Sequence, residues 1–271
     1  MEDPVQLMDA AAAAATRTGR FLREQFRAGL RATTKTYAHD VVTEADRHVE
    51  SAIRGELLAA APGSVVVGEE GGRAGDGSGS GVTWSIDPID GTFNFVRGIP
   101  LFCTSVGLSI DGQPAGGCVY DPVHDELFTA AAGRLWHNGA PVPRGTPSQD
   151  PPLVLCDIPT AGISADPRED ALLRDLLSVC ADVRRIGSSA LSLAWVAVGR
   201  ADLAANADVF DWDVAAGRVL VAAAGGGYQD VPGPARYDRP GGFVAWSAGR
   251  EELAGRVATA LAALPALAPT R

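Results

Sequence analysis

The 271-residue sequence predicts a mixed α/β fold on three observations. Beyond residue 152, short apolar or β-branched runs alternate with helical patterns, which reads as strand–helix layering. Residues 101–130 carry strand patterns separated by turn dipeptides, an antiparallel meander. Two Ala-rich helical patterns come before them.

Taken in order, residues 3–30 read as a helix, with Val5, Leu7, Met8, Phe21, Leu22 and Phe26 as its apolar positions and Gly29 near its stop. "TTKTYAHDVV" reads as extended. "TEADRHVESAIRGELLAAAPG" reads as a second helix: Thr43 is an N-cap with Asp46 three residues on, as in a capping box, and Pro62-Gly63 ends it. "SVVVGEE" reads as a strand delivering Glu69 and Glu70 at its tip. "GGRAGDGSGSG" (71–81) reads as a flexible loop and matches neither glycine-rich phosphate motif. "VTWSI" reads as a strand running into a rigid turn, "DPIDGT". The meander follows as "LFCTSVGLSI", an Asp111-Gly112 turn, "QPAGGCVY", a turn at Asp121-Pro122, and "ELFTA".

The Pro-, Gly- and Ser-rich segment 141–152 is the expected domain boundary, dividing the chain into 1–145 and 146–271. After it, strands "LVLCDI", "DVRRIG", "ADLAAN", "GYQD" and "GFVAWS" alternate with helices at about 167–180, 188–199, 212–224 and 249–264.

Composition bounds the function. The chain is 46% hydrophobic and long enough to bury a sizeable core without a disulfide or metal staple. Its 23 basic and 33 acidic side chains give a net charge of −10, which argues against nucleic acid and anionic membranes as partners. Lys35 is the one lysine. Cys103, Cys118, Cys156 and Cys180 form no C-x-x-C pair and read as buried free thiols in a reducing cytosol. The acidic N-terminal stretch does not read as a secretory signal, and no run of 18 apolar residues is present, so a cytoplasmic protein is expected.

Against that acidic background four spots stand out at strand ends or helix starts: Asp46, Glu69/Glu70, Asp87 with Asp90, and Asp211/Asp213. Burying several carboxylates is unfavourable unless cations neutralise them. A hard divalent ion such as Mg²⁺ takes oxygen ligands and leaves room for water and a phosphate. His39, His48, His124 and His137 have no zinc-site spacing. A bound cation would also let so acidic a chain hold a phosphate. Gly91-Thr92 follows the acid pair at once; backbone N–H groups there can face an anion, and the Thr92 hydroxyl can orient a water. The acid spacing is D-x-x-D-G-T, one residue longer than the D-x-D-G-T of haloacid-dehalogenase phosphatases, which disfavours covalent aspartyl-phosphate chemistry. The nucleophile elbow G-x-S-x-G is absent.

Five segments, in order, resemble the inositol monophosphatase superfamily of Mg²⁺-dependent, lithium-sensitive phosphatases. They are "DVVTEAD" (40–46), "GEE" (68–70), "WSIDPIDGTFNF" (84–95), "RRIGSSALSLAWVAVGRAD" and "WDVAAGRVLVAAAGG" (212–226). The resemblance implies a layered αβαβα sandwich of the inositol monophosphatase and sugar phosphatase type, usually a homodimer, holding two or three Mg²⁺ ions. It implies Glu69, Asp87, the Ile89 carbonyl, Asp90 and Asp213 as metal ligands. It places the Gly91 and Thr92 amides on the phosphate, and pairs Asp46 with Thr92 to orient the attacking water. Glu69, Thr92 and Asp46 are thus the expected catalytic set, and Gly91, Thr92, Ser188 and Asn206 the expected substrate contacts. Lys35 stands where relatives often carry a lysine near the metal waters, and Glu70 reads as structural.

Two departures bear on the substrate. Asn206 stands seven residues before Asp213, where the inositol phosphatases often have an acid, and Ser189 replaces the common alanine. Inositol-1-phosphate is the first expectation. Histidinol phosphate is the alternative, with fructose-1,6-bisphosphate and 3′-phosphoadenylate behind it. The last two want an extra basic pocket, for which Arg184, Arg185 and Arg200 are the candidates, although surface salt bridges account for them more simply. A non-catalytic scaffold on the same fold would be expected to lose one of Asp87, Asp90 or Asp213, and all three are present.

Overall fold

The computed structural model describes residues 2–28, 33–34, 41–78, 81–159 and 166–264. Lys35 and His39 lie outside them. The chain runs α1 (Pro4–Ala28), β1 (Thr33–Thr34), β2 (Val41–Val42), α2 (Glu44–Ala60), β3 (Val65–Gly68), β4 (Gly72–Ala74), β5 (Val82–Asp90) and α3 (Thr92–Arg97). The meander is β6 (Cys103–Ile110), β7 (Gln113–Asp121), β8 (Glu126–Ala131), β9 (Arg134–His137) and β10 (Ala140–Val142). The remainder is β11 (Leu153–Cys156), α4 (Pro167–Val179), β12 (Asp182–Arg184), α5 (Ser189–Ala197), β13 (Leu203–Val209), α6 (Asp211–Ala223), β14 (Gly227–Asp230), β15 (Gly241–Trp246) and α7 (Glu251–Ala262).

Apart from the β1–β2 pair, two sheets organise the molecule. An eight-stranded sheet has the order β10-β9-β8-β7-β6-β5-β3-β4 and is antiparallel except where β3 meets β5. A five-stranded sheet has the order β12-β11-β13-β15-β14, with the first three strands parallel. Period-two alternation gives each sheet two apolar faces. Trp84, Ile86, Val106 and Leu108 pack under α1 and α2, while Val119, Phe128 and Ala130 face α5 and α6. On the second sheet Leu155, Ala204 and Ala245 face the same two helices, and Val154, Ala205 and Val244 face α4 and α7. The layers are therefore α1/α2, first sheet, α5/α6, second sheet, α4/α7, the expected αβαβα sandwich. The first sheet ends at Val142 and the second begins at Leu153, on either side of the Pro-rich segment.

The Thr43 capping box forms as the sequence predicts. Its hydroxyl accepts the Ala45 amide, and its own amide donates to the Asp46 carboxylate at 2.8 Å. Three expectations change. The glycine-rich 71–81 stretch contains β4, which pairs with β3 across a tight turn. Strands β9 and β10 extend the meander. The strand that begins "VTWSI" does not stop at a turn but continues through Pro88 to Asp90. Proline is tolerated there because the ladder breaks at a bulge: Asp87 pairs with Ser105 and Asp90 with Cys103.

Helix α6 lies close on the first sheet. Gly107 and Gly117 are paired across β6 and β7, and a Cβ on either would fall 2.3–2.4 Å from Ala215 or Ala216 of α6. The glycines are thus a floor that lets the helix backbone approach. Gly107→Val is expected to destabilise the fold by about 1–3 kcal/mol or more by overpacking, against its favourable strand propensity. Denaturant unfolding checks this; a variant as stable as the parent would remove the role given to the floor.

Candidate metal and phosphate site

The bulge decides where the two acids of "DPID" point. In a regular strand, residues three apart face opposite sides of the sheet. Here three steps along β5 match two along β6, so Asp87 and Asp90 both face the α5/α6 layer. Ile89, on the opposite face, is buried in the core under α1 and α2.

Asp213 reaches the same place from α6. It is the third residue of the helix, and its carboxylate accepts the Phe210 amide at 2.7 Å. One carboxylate oxygen from each of Asp87, Asp90 and Asp213 lies within 4.8 Å of the others. Glu69, which follows β3 and donates its amide to the Ile86 carbonyl at 3.2 Å, lines the same cavity as Asp90 and Asp213.

Each acid is held separately. Asp90 sits at the N-terminus of α5, where its carboxylate accepts the Ser188 hydroxyl, the Ala190 amide at 2.8 Å and the Ser189 amide at 3.3 Å. Burial pushes its pKa up to about 6, and these donors from α5 hold it from going higher. Asp87 receives the Ile89 amide at 3.0 Å. Its carboxyl is pushed well above the usual range by burial first, then by the negative charges of Glu69, Asp90 and Asp213. Asp213, within hydrogen-bonding reach of Asp87, is raised likewise by burial, then by Asp90 and Glu69. Side chains crowded this way keep protons unless a cation replaces them. The donors are all oxygen, which suits a hard divalent ion such as Mg²⁺.

Beside the cluster, Asp46 is fully buried on α2. It accepts the Thr43 amide at 2.8 Å and the Thr43 hydroxyl at 2.6 Å, while the Thr92 hydroxyl lies 3.2 Å from its other oxygen. The Thr92 hydroxyl also lies 2.8 Å from the Ile89 carbonyl oxygen. Gly91 precedes α3 with φ of 92°, a conformation that favours glycine. A Cβ there would also fall 2.9 Å from the Leu101 carbonyl oxygen.

Glu69, Asp90 and Asp213 open on a cavity of about 530 Å³. Gly91, Thr92, Asn206 and Ser189 line it. Ser188 does not: it is 1% exposed, its hydroxyl is committed to Asp90, and Ser189 takes the wall position next to Asn206, whose amide donates to the Ser189 hydroxyl at 3.2 Å. Two further acids of the wall, Asp157 and Asp208, escaped the sequence reading of the pocket, and Arg185, named there as a candidate for an extra basic pocket, stands with them. Asp157 directly follows β11 and accepts the Gly187 amide at 3.2 Å; its position at a strand end is the signal that singled out Asp87 and could have found it. Asp208 lies on β13, and Arg185 donates to the Pro159 carbonyl at 2.7 Å. Arg184 and Arg200 are instead taken up by ion pairs with Asp182 and Glu126.

Glu50 was also not anticipated. Buried on α2, it accepts the Glu70 amide at 2.7 Å and the Gly71 amide at 2.8 Å and pairs with Arg54, fixing the turn that carries Glu69. No local pattern marks it, because its partners lie 20 and 21 residues away.

The inositol monophosphatase family model matches residues 3–265. A curated relative named Inositol-1-monophosphatase from Mesorhizobium japonicum is 37% identical over 196 residues, 72% of this chain and 73% of its own length. Another, from Pseudomonas aeruginosa and named Nus factor SuhB, is 38% identical over 213 residues, 77% of this chain and 79% of its own. The solved inositol monophosphatase of Anabaena (Nostoc) sp. PCC 7120 superimposes with a TM-score of 0.74 at 31% identity, covering 96% of both chains. With five segments in order, the αβαβα layering and the carboxylate cluster all in place, the chain belongs to the inositol monophosphatase family.

Proposed function

We propose that this protein hydrolyses a small phosphate monoester with the help of bound divalent cations, with inositol-1-phosphate as first substrate and histidinol phosphate as the alternative. The observation that carries the reading is the convergence of Asp87, Asp90 and Asp213, from one strand and one helix far apart in sequence, with Asp90 and Asp213 on the wall of a single cavity. The name Nus factor SuhB on some relatives raises a non-enzymatic role. Retention of the whole acidic set favours catalysis, since a scaffold has no need for side chains that repel one another.

In this reading Asp87, Asp90 and Asp213 hold the cations, with Glu69 and the Ile89 carbonyl completing the donor set. Cations bound there supply Lewis-acid chemistry, lowering the pKa of a water and neutralising charge on the phosphate. The Gly91 and Thr92 amides orient the phosphate. Asp46, raised above its ordinary value chiefly by burial, takes the proton lost by the attacking water through the Thr92 hydroxyl. Asn206 and Ser189 meet the leaving alcohol with neutral hydrogen-bonding groups. With this reading come further expectations: Mg²⁺ as the metal, two or three ions, inhibition by lithium, and a cytoplasmic homodimer. A second phosphate finds less support, because Arg184 and Arg200 are already paired.

The function is tested by phosphate release with Mg²⁺ from inositol-1-phosphate, histidinol phosphate, fructose-1,6-bisphosphate and 3′-phosphoadenylate. One monoester should be turned over well above the rest, and excess chelator should abolish the rate; rates indifferent to chelator would rule out the metal reading. Asp87→Asn is expected to lower turnover by roughly 10²-fold or more. It should also raise the thermal midpoint of the chelator-treated protein, because a neutral amide replaces a buried, repelled carboxyl. A variant with parental turnover would sink the assignment of Asp87.

The pH dependence has a defined sign. Folding raises the pKa of the clustered acids, so the metal-free folded chain binds more of their protons than the unfolded chain does. Their contribution to stability is therefore greatest at low pH and falls as pH rises through the folded values. Cations displace those protons, so the rise in melting temperature on adding Mg²⁺ should grow between about pH 5 and pH 7. Thermal melts with and without Mg²⁺ across that range measure it; an increment independent of pH would contradict the assignment of these acids to the metal.

A further inference from the structure

A second cavity, of about 210 Å³, lies between α6 and the β4–β3–β5–β6 side of the first sheet. Strand register builds its floor. Arg73 pairs with Val67, Val67 with Ser85 and Ser85 with Gly107, so these residues form one cross-strand row on one face. Thr83 and Ser109 form the next row on that face. The helix supplies Asp211, Ala215 and Arg218, spaced four and three residues apart and so on one stripe. Tyr237 stands exposed at the edge.

The chemistry of this lining is that of a donor set. Arg218 donates to one Asp211 oxygen at 3.2 Å, and the other Asp211 oxygen accepts the Ser85 hydroxyl at 2.8 Å. The acid is thereby engaged at both oxygens. The Nε of Arg218 is buried and has no hydrogen-bond acceptor among the described residues. The Arg73 guanidinium has no ion-pair partner among the described residues. Two guanidinium groups against one carboxylate leave a local positive charge in a chain whose net charge is −10. The buried N–H without an acceptor calls for an acceptor-only ligand, and the exposed Arg73 guanidinium beside the same cavity is a second donor for one. The hydroxyls of Thr83, Ser109 and Tyr237 can add to its coordination. The volume admits a small ion and not a nucleotide.

We propose that this cavity binds a small tetrahedral oxyanion between Arg73 and Arg218, separately from the phosphate handled at the carboxylate cluster. The anion takes hydrogen bonds from both guanidinium groups while Asp211 stays tied to Ser85.

The test is calorimetric titration of the chelator-treated protein with inorganic phosphate, and in a second arm with sulfate, at ionic strength held constant with chloride. Without cations the catalytic cavity lacks the positive charge that would hold an anion there, so it does not contribute. One saturable site is expected for both anions. Arg73→Met, on an exposed strand, should weaken it roughly tenfold or more, Arg218→Met should abolish it, and Arg134→Met, on β9, should leave it unchanged. Absence of saturable uptake at millimolar phosphate, uptake equal in Arg73→Met and the parent, or uptake lost equally in Arg134→Met would each overturn the proposal.

Discussion

Mutual repulsion among buried carboxylates is the constraint on which the rest of this structure depends. Asp87, Asp90 and Asp213 approach within 4.8 Å, and the charge of Glu69 adds to the repulsion. Left to themselves such groups would separate or stay protonated. The fold holds each by a different backbone donor: the Phe210 amide for Asp213, the Ile89 amide for Asp87, and the first amides of α5 for Asp90. No single element could supply all of these, which is why the site sits where several elements end together.

The middle helical layer does this work. Helix α6 reaches the first sheet over Gly107 and Gly117, bringing its first turn to β5. Helix α5 points its N-terminus at Asp90, so a strand of the first sheet is bonded directly to a helix encoded about a hundred residues later. On the outer side, α2 adds Asp46 to the site and uses Glu50 to fix the turn before β4. Catalytic geometry and interlayer packing are therefore the same set of contacts.

Much of this could be read in the sequence, and the part that could not has a common physical origin. The capping box at Thr43 and the acids at strand ends and helix starts are local patterns, and they were legible. The path of "DPID" was not. Proline and glycine are the usual marks of a turn, and only the partner strand shows that β5 continues through Pro88 with an extra residue. The exchange between Ser188 and Ser189 depends on where α5 begins, a matter of one residue. Glu50 and the placement of Arg73 and Arg218 on one cavity, across a sheet and a helix, are long-range juxtapositions, for which a single chain carries no local signal.

The bulge in β5 sets a rule for anyone who would alter this motif. Because one additional backbone unit turns Asp90 to the same side as Asp87, register matters more than lettering between them. Substitutions at Pro88 or Ile89 leave both acids aimed at the middle layer. Were β5 to keep both intervening residues but pair in regular register without the bulge, one carboxylate would turn into the apolar space beneath α1 and α2, and no choice of side chain between them could restore it.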